Sequence, residues 1–253
     1  MNTKTYFLKS GMTLILFMAI ILSGCSKVED DIPEQPQTNS NNGYTITISD
    51  GYGVLAAVRS VSLTTVGGYT VPVEVNTAVA AFTSSSGSGT FIDAGTVTLN
   101  SKSLIKATNN SYYYQNLMDP LNFSSITWNV SGAGSVPEIS YTDDRPIPQY
   151  TDFSALPSTL TRNAGLSIVL GSTITNADSV YVLVTDYNGK TVLRRVGGNA
   201  SQCVFSGSDL SALSAGQGMI QVVPWNYKTE DYSDRKYYFI IESAYTRQGV
   251  TIN

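Results

Sequence analysis

Along most of this chain, apolar side chains recur at every second position. Tyr44, Ile46 and Ile48 alternate with threonines, and Tyr69, Val71, Val73 and Val75 alternate with Thr70, Pro72, Glu74 and Asn76. A period of two marks strands with one buried face, because successive side chains point to opposite sides of a sheet. Gly67-Gly68 separates residues 60–66 from the second run. Two glycines supply the positive φ angles that a tight turn needs, so residues 59–76 are expected to form a hairpin. Pro72 has no N–H to give to a ladder and belongs on an edge or at a bulge. Further strands are expected over 78–83, 95–99, 111–115 and 125–130. A later group covers 165–170, a hairpin of 179–185 and 191–196 around Asn188-Gly189, then 218–223 and 236–243. No stretch keeps a helical period beyond a turn or two, which makes the chain all-β.

Between residues 131 and 152 the pattern lapses into a Gly-Ala-Gly run, Pro137, Pro146 and Pro148, and the acid pair Asp143-Asp144. Proline stiffens such a connection. A domain boundary is expected near Pro148, giving two antiparallel β-sandwich domains, 44–148 and 149–253. One continuous sandwich with a proline-rich loop is the alternative. In the second region, residues 209–216 resemble the Leu-rich turn that enters the penultimate strand of fibronectin type III and immunoglobulin-like domains. That resemblance implies an immunoglobulin-like sandwich. Met219 stands about where many such domains carry a corner tyrosine, and the Cys-Trp-Cys pattern of immunoglobulin domains is absent.

The N-terminus is patterned differently. Lys4 and Lys9 precede an eleven-residue apolar run from Met12 to Leu22, and Leu22-Ser23-Gly24-Cys25 closes it. A spanning helix needs about 20 apolar residues, so the run fits a removable secretory segment. The arrangement resembles the signal of bacterial lipoproteins, with its lipobox. The resemblance implies removal of residues 1–24, lipidation of Cys25 and anchoring to a membrane. Multiple acyl chains make such anchoring persistent. Ser26-Lys27-Val28-Glu29-Asp30-Asp31 resembles the export signal of Bacteroidota surface lipoproteins, which implies an outer-membrane protein exposed on the cell surface. Residues 32–43 hold Ile32 as their one large apolar side chain among Pro, Gln, Asn and Ser. Such a composition cannot offset its ordering entropy, so 25–43 reads as a flexible lipidated stalk.

Loss of residues 1–24 leaves 13 basic and 19 acidic side chains, a formal charge of −6. Nucleic acid is therefore not expected as a partner, because binding it relies on clustered Lys and Arg. Once Cys25 is lipidated, Cys203 has no cysteine to pair with. In Gln202-Cys203-Val204-Phe205 it reads as a small buried side chain. The chain contains no histidine. That removes Ser-His-Asp and Cys-His catalysis and every metal site built on imidazole. Carboxylate-only hydrolysis, lysine chemistry and an all-oxygen calcium site are the chemistries left.

Asp143-Asp144, and Glu230-Asp231 with Asp234, could offer oxygen ligands, and Asp186-x-Asn188-Gly189 is similar to the start of a calcium loop. No glutamate closes that loop, and Asx-Gly turns explain the spacing, so neither a metal, a cofactor nor a catalytic residue is expected. Asp178-Ser179-Val180 resembles a Bacteroidota O-glycosylation site. The tyrosine runs at 112–114 and 237–238 must split between two faces of a strand, and Trp128 between Ile126 and Val130 fits a core. Trp225 and Tyr227, after Pro224 at an expected strand end, are the candidate ligand-binding residues. The expectation is thus a non-catalytic, membrane-anchored surface lipoprotein that binds glycan or protein. The alternatives are a pilus-like or adhesin subunit and a carboxylate-dependent glycoside hydrolase. Fimbrial precursors of the same bacteria also resemble lipoproteins with paired sandwiches. In a pilus-like subunit, 237–241 or 246–253 would insert into a neighbour by strand addition.

Overall fold

The computed structural model describes residues 50–66, 69–86 and 89–253, with side-chain surroundings for all of these except 64–66 and 69–70. The expected signal segment, Cys25, the stalk and the strand around Tyr44, Ile46 and Ile48 lie outside the described residues. In chain order the strands are β1 (Gly53–Val66), β2 (Tyr69–Phe82), β3 (Val97–Leu99), β4 (Lys102–Ser103), β5 (Ile105–Lys106) and β6 (Tyr112–Tyr114). They continue with β7 (Ile126–Val130), β8 (Ile139–Asp143), β9 (Gln149–Tyr150), β10 (Thr159–Leu160), β11 (Leu166–Val169) and β12 (Ile174–Thr175). The last five are β13 (Ser179–Asp186), β14 (Thr191–Gly197), β15 (Gln202–Phe205), β16 (Gly216–Tyr232) and β17 (Arg235–Ile252). The fold is an all-β sandwich, as the alternating pattern predicted.

A nine-stranded sheet organises it, in the order β14-β13-β16-β17-β1-β2-β6-β5, with β10 also on β17. Its neighbours are antiparallel except at β1/β17 and β10/β17, which run parallel. Val66 pairs with Tyr69 across the Gly67-Gly68 step, so the predicted hairpin forms. Pro72 pairs with Leu63 on one side, while β6 reaches only Ala78–Ala80 on the other. The proline therefore lies on an edge, where its missing donor costs no ladder bond. β16 and β17 hold 17 and 18 residues, roughly 55 Å of extended chain at ~3.3 Å per residue. That reach lets one hairpin serve two cores.

On one face of the sheet, the four-stranded layer β4-β3-β7-β8 closes the first core around Phe82, Leu99, Ile126, Trp128, Ile139 and Phe239. Trp128 is fully buried, as its place between Ile126 and Val130 required. The small sheets β11-β15 and β9-β12 close the second core around Leu160, Ile168, Val182, Phe205, Ile220 and Ile252. Both cores draw on both sides of Pro148: Tyr237, Phe239 and Ile241 enter the first, and Val61 enters the second. Between them, on the same face, lies a polar band of Asn76, Arg59, Ser243 and Asn226, where Arg59 pairs with Asn76 and Ser243 in register. Residues 209–216 do lead into the penultimate strand, through the helix Gly207–Leu210. Ser206 and Asp209 form a capping box at its start.

Candidate functional site

The opposite face of the large sheet carries the two candidate residues, Trp225 and Tyr227. Alternation places Tyr238, Ile240, Glu242 and Ala244 of β17 there, with Val54, Ala56 and Val58 of β1, and Val223, Trp225 and Tyr227 of β16. Tyr181 and Leu183 of β13 and Leu193 and Arg195 of β14 extend it. Four aromatic rings run in a row across this face. Trp225 stacks on Tyr181 with centroids 5.4 Å apart and on Tyr227 at 5.6 Å, and Tyr227 lies 5.8 Å from Tyr238. The Arg195 guanidinium sits 5.5 Å from the Trp225 ring centre and 5.9 Å from that of Tyr181, within cation–π range.

Trp225 departs from its expected placement. It is neither exposed nor at a strand end: 5% of its surface is accessible, and β16 runs on for seven residues beyond it. Pro224 does not terminate the strand because the β16/β17 ladder skips Val223 and Pro224, then resumes at Trp225 opposite Glu242. The missing N–H of the proline is absorbed by that gap. Tyr227, by contrast, is exposed at 42%. The structure therefore brings the two candidates together but divides their roles. Tyr227 presents its ring, and the buried Trp225 stacks beside it on the same face.

At the exposed end, Tyr227, Thr229 and Asp231 of β16 face Ile240, Tyr238 and Lys236 of β17. Tyr238 Oη donates to Asp50 Oδ1 at 2.5 Å, and Lys236 Nζ donates to Asp50 Oδ2 at 2.5 Å. The Lys236 bond first, then that from Tyr238, holds the Asp50 carboxyl below its usual range. Burial, with donation to Asp50, pushes the Tyr238 hydroxyl above its own. The hairpin closes at Ser233-Asp234, both at positive φ (52° and 59°), the geometry of a type I′ turn. This end thus combines an aromatic ring, hydroxyls, an ammonium and carboxylates on one surface. Sequence reasoning missed Tyr238, Lys236 and Asp50, because nothing in the sequence signals that residue 50 meets residue 236.

The other acids have structural work. Asp143 is buried, accepts from Arg145 Nε at 2.9 Å, Arg145 Nη2 at 2.6 Å and Tyr141 Oη at 3.0 Å, and also receives the Arg145 N–H. Asp186 accepts backbone N–H bonds from Asn188, Lys190 and Ser214 at 2.7–3.0 Å. With Gly189 at φ +82° this is an Asx-type turn, the role weighed against a calcium loop. Among the described residues, no group of three or more Asp, Glu or Cys is placed to hold a metal ion. Ser179, in the segment that resembles an O-glycosylation site, is buried at 6%, and its Oγ accepts from Arg195 Nε at 3.2 Å and Nη2 at 3.0 Å, so its hydroxyl is engaged within the sheet. The strands named as donors for strand addition, 237–241 and 246–253, are already paired on both sides up to Arg247, and again at Thr251 and Ile252. No protein-family model matches the chain, and comparison with curated proteins gives no match.

Proposed function

We propose that this chain is a non-catalytic, membrane-anchored surface lipoprotein that binds glycan at the exposed end of the β16–β17 hairpin. The carrying observation is Tyr227. It is the exposed member of a stacked aromatic row, beside Thr229, Tyr238, Lys236 and Asp50. Flat amphipathic rings flanked by hydrogen-bonding groups suit the apolar faces and hydroxyls of sugars. Anchoring through Cys25 rests on the lipobox. Among the described residues no helix is long and apolar enough to cross a membrane.

The test is binding of the mature protein to a polysaccharide panel. Tyr227→Ala, at an exposed position, is expected to weaken binding at least tenfold, about 1.4 kcal/mol, without loss of stability. Silence across a broad panel, or unchanged binding by the variant, would overturn the glycan reading. A second reading, strand addition in an adhesin-like subunit, is favoured by one feature. The outer edge of β2 before Ala78 is unpaired among the described residues, and it exposes Val71 at 40% and Val73 at 44%. An extended partner segment would suit that edge.

A further inference from the structure

The seam between the two cores is polar and incompletely bonded. Asn76 of β2 pairs in register with Arg59 of β1, and Arg59 with Ser243 of β17, while Asn226 of β16 stands opposite Ile241, the next residue on the same side of β17. Four atoms of this band, Asn76 Oδ1, Arg59 Nε, Ser243 Oγ and Asn226 Oδ1, are buried with no hydrogen-bond partner among the described residues. Ser243 is fully buried and Asn226 nearly so. Buried polar atoms are almost always bonded, because leaving one bare forfeits its hydration for nothing, so four in one band call for a shared partner. Turning the amides over does not supply it. Asn76 Nδ2 donates to Leu121 O at 3.0 Å and Asn226 Nδ2 donates to Asn176 O at 2.9 Å, which leaves each Oδ1 as the atom still to be served.

We infer that the seam is a binding site for ordered water, which bridges Asn76 Oδ1, Arg59 Nε and Ser243 Oγ on neighbouring strands and serves Asn226 Oδ1 beside them. Neighbouring strands lie about 4.8 Å apart, and one water spans up to ~5.6 Å between the two atoms it joins. The atoms themselves select the class of ligand. Two amide oxygens need a donor, the guanidinium nitrogen needs an acceptor, and the hydroxyl takes either. An anion would face the amide oxygens and a cation the guanidinium, so the site takes a neutral molecule that both donates and accepts. Described residues limit its size. β9 packs across β16 and β17, with Tyr150 against Tyr245 at 5.9 Å, two residues from Ser243, and the Leu121 carbonyl closes the β2 end. Water meets both limits, with two to four polar partners within reach. Arg59 and Glu74 mark the mouth: their ion pair at 2.9 Å leaves the side chains 27% and 43% exposed, where the seam meets solvent. The seam also falls where the β16/β17 ladder passes over Val223 and Pro224. Bridging water, rather than apolar contact, thus joins the two cores at this level, and this stands whether or not the Tyr227 surface binds glycan.

The experiment is a crystal structure of the full mature chain at a resolution that orders internal water. Water within hydrogen-bond distance of Ser243 Oγ and Arg59 Nε is the expected result. Direct bonds among the four atoms, a dry seam, or density for a molecule larger than water would each overturn the inference. Ser243→Ala gives a check in solution that turns on sign. A bare hydroxyl destabilises the fold, so its removal would raise the urea midpoint, whereas a hydroxyl that holds bridging water contributes a bond that the variant loses. The midpoint should therefore fall, and an unchanged or higher midpoint would equally refute the assignment.

Discussion

Glu242, half-buried on the sheet face that carries the aromatic row, offers a quantitative test of how far that face excludes water. It stands on that face with Val58 and Trp225 as its in-register neighbours, and Ile240 and Ala244 flank it along β17. Burial pushes its carboxyl from 4.5 up to about 7, with no compensating partner among the described residues. Between pH 4.5 and 7 the folded protein holds a proton that the unfolded chain has released. The unfolded state binds fewer protons, so stability falls as pH rises through that window and levels off above it. A rise from 4.5 to about 7 corresponds to about 3 kcal/mol. Glu242→Gln keeps the shape and cannot ionise. Urea unfolding followed by circular dichroism should therefore find the variant within about 1 kcal/mol of wild type at pH 4, yet about 2–3 kcal/mol more stable at pH 8. An advantage of the same size at both pH values, or none at pH 8, would refute the reasoning.

Two further outcomes follow from the buried groups. Asp143→Ala should cost about 3 kcal/mol, the lower end for breaking a buried pair because Arg145 still reaches solvent. Burial alone would raise the Asp143 carboxyl, but the hydrogen bonds from Arg145 and Tyr141 outweigh it and hold it below its usual range. Its contribution is therefore present above about pH 4 and lost as pH falls below that, so the variant should unfold with a shallower acid dependence; an unchanged acid limb would contradict this. Cys203 lies in the second core, where burial pushes its thiol up to about 12. A thiol reagent at pH 8 should leave it unmodified in the native protein and label it fully in urea, whereas rapid native labelling would show that the core is not closed there.

Much of the fold was legible from alternation and turn chemistry. The Gly67-Gly68 and Asn188-Gly189 hairpins, the edge placement of Pro72 and the core placement of Trp128 follow from period, backbone freedom and the missing proline donor. What could not be read is long-range. The parallel pairing of β1 with β17 joins residue 53 to residue 237, and no local pattern encodes it. It is also why two hairpins run through both cores. Pro224 misled because a proline usually marks an edge or an end; here the ladder skips it, and Trp225 becomes a buried support. Tyr227 is a candidate through its aromatic ring and its place after Pro224, and of those two signals only the ring's exposure holds in the fold. Its partners Tyr238, Lys236 and Asp50 needed the register of β16 against β17 and the approach of the chain to β1.

The most direct test of the proposed glycan-binding surface is hydrogen–deuterium exchange on the mature protein, with and without each polysaccharide of the binding panel. Protection confined to Trp225–Tyr232 and Arg235–Ile240 at the β16–β17 hairpin end is the predicted result. Protection along the outer edge of β2, around Val71 and Val73, with the hairpin unchanged, would contradict it.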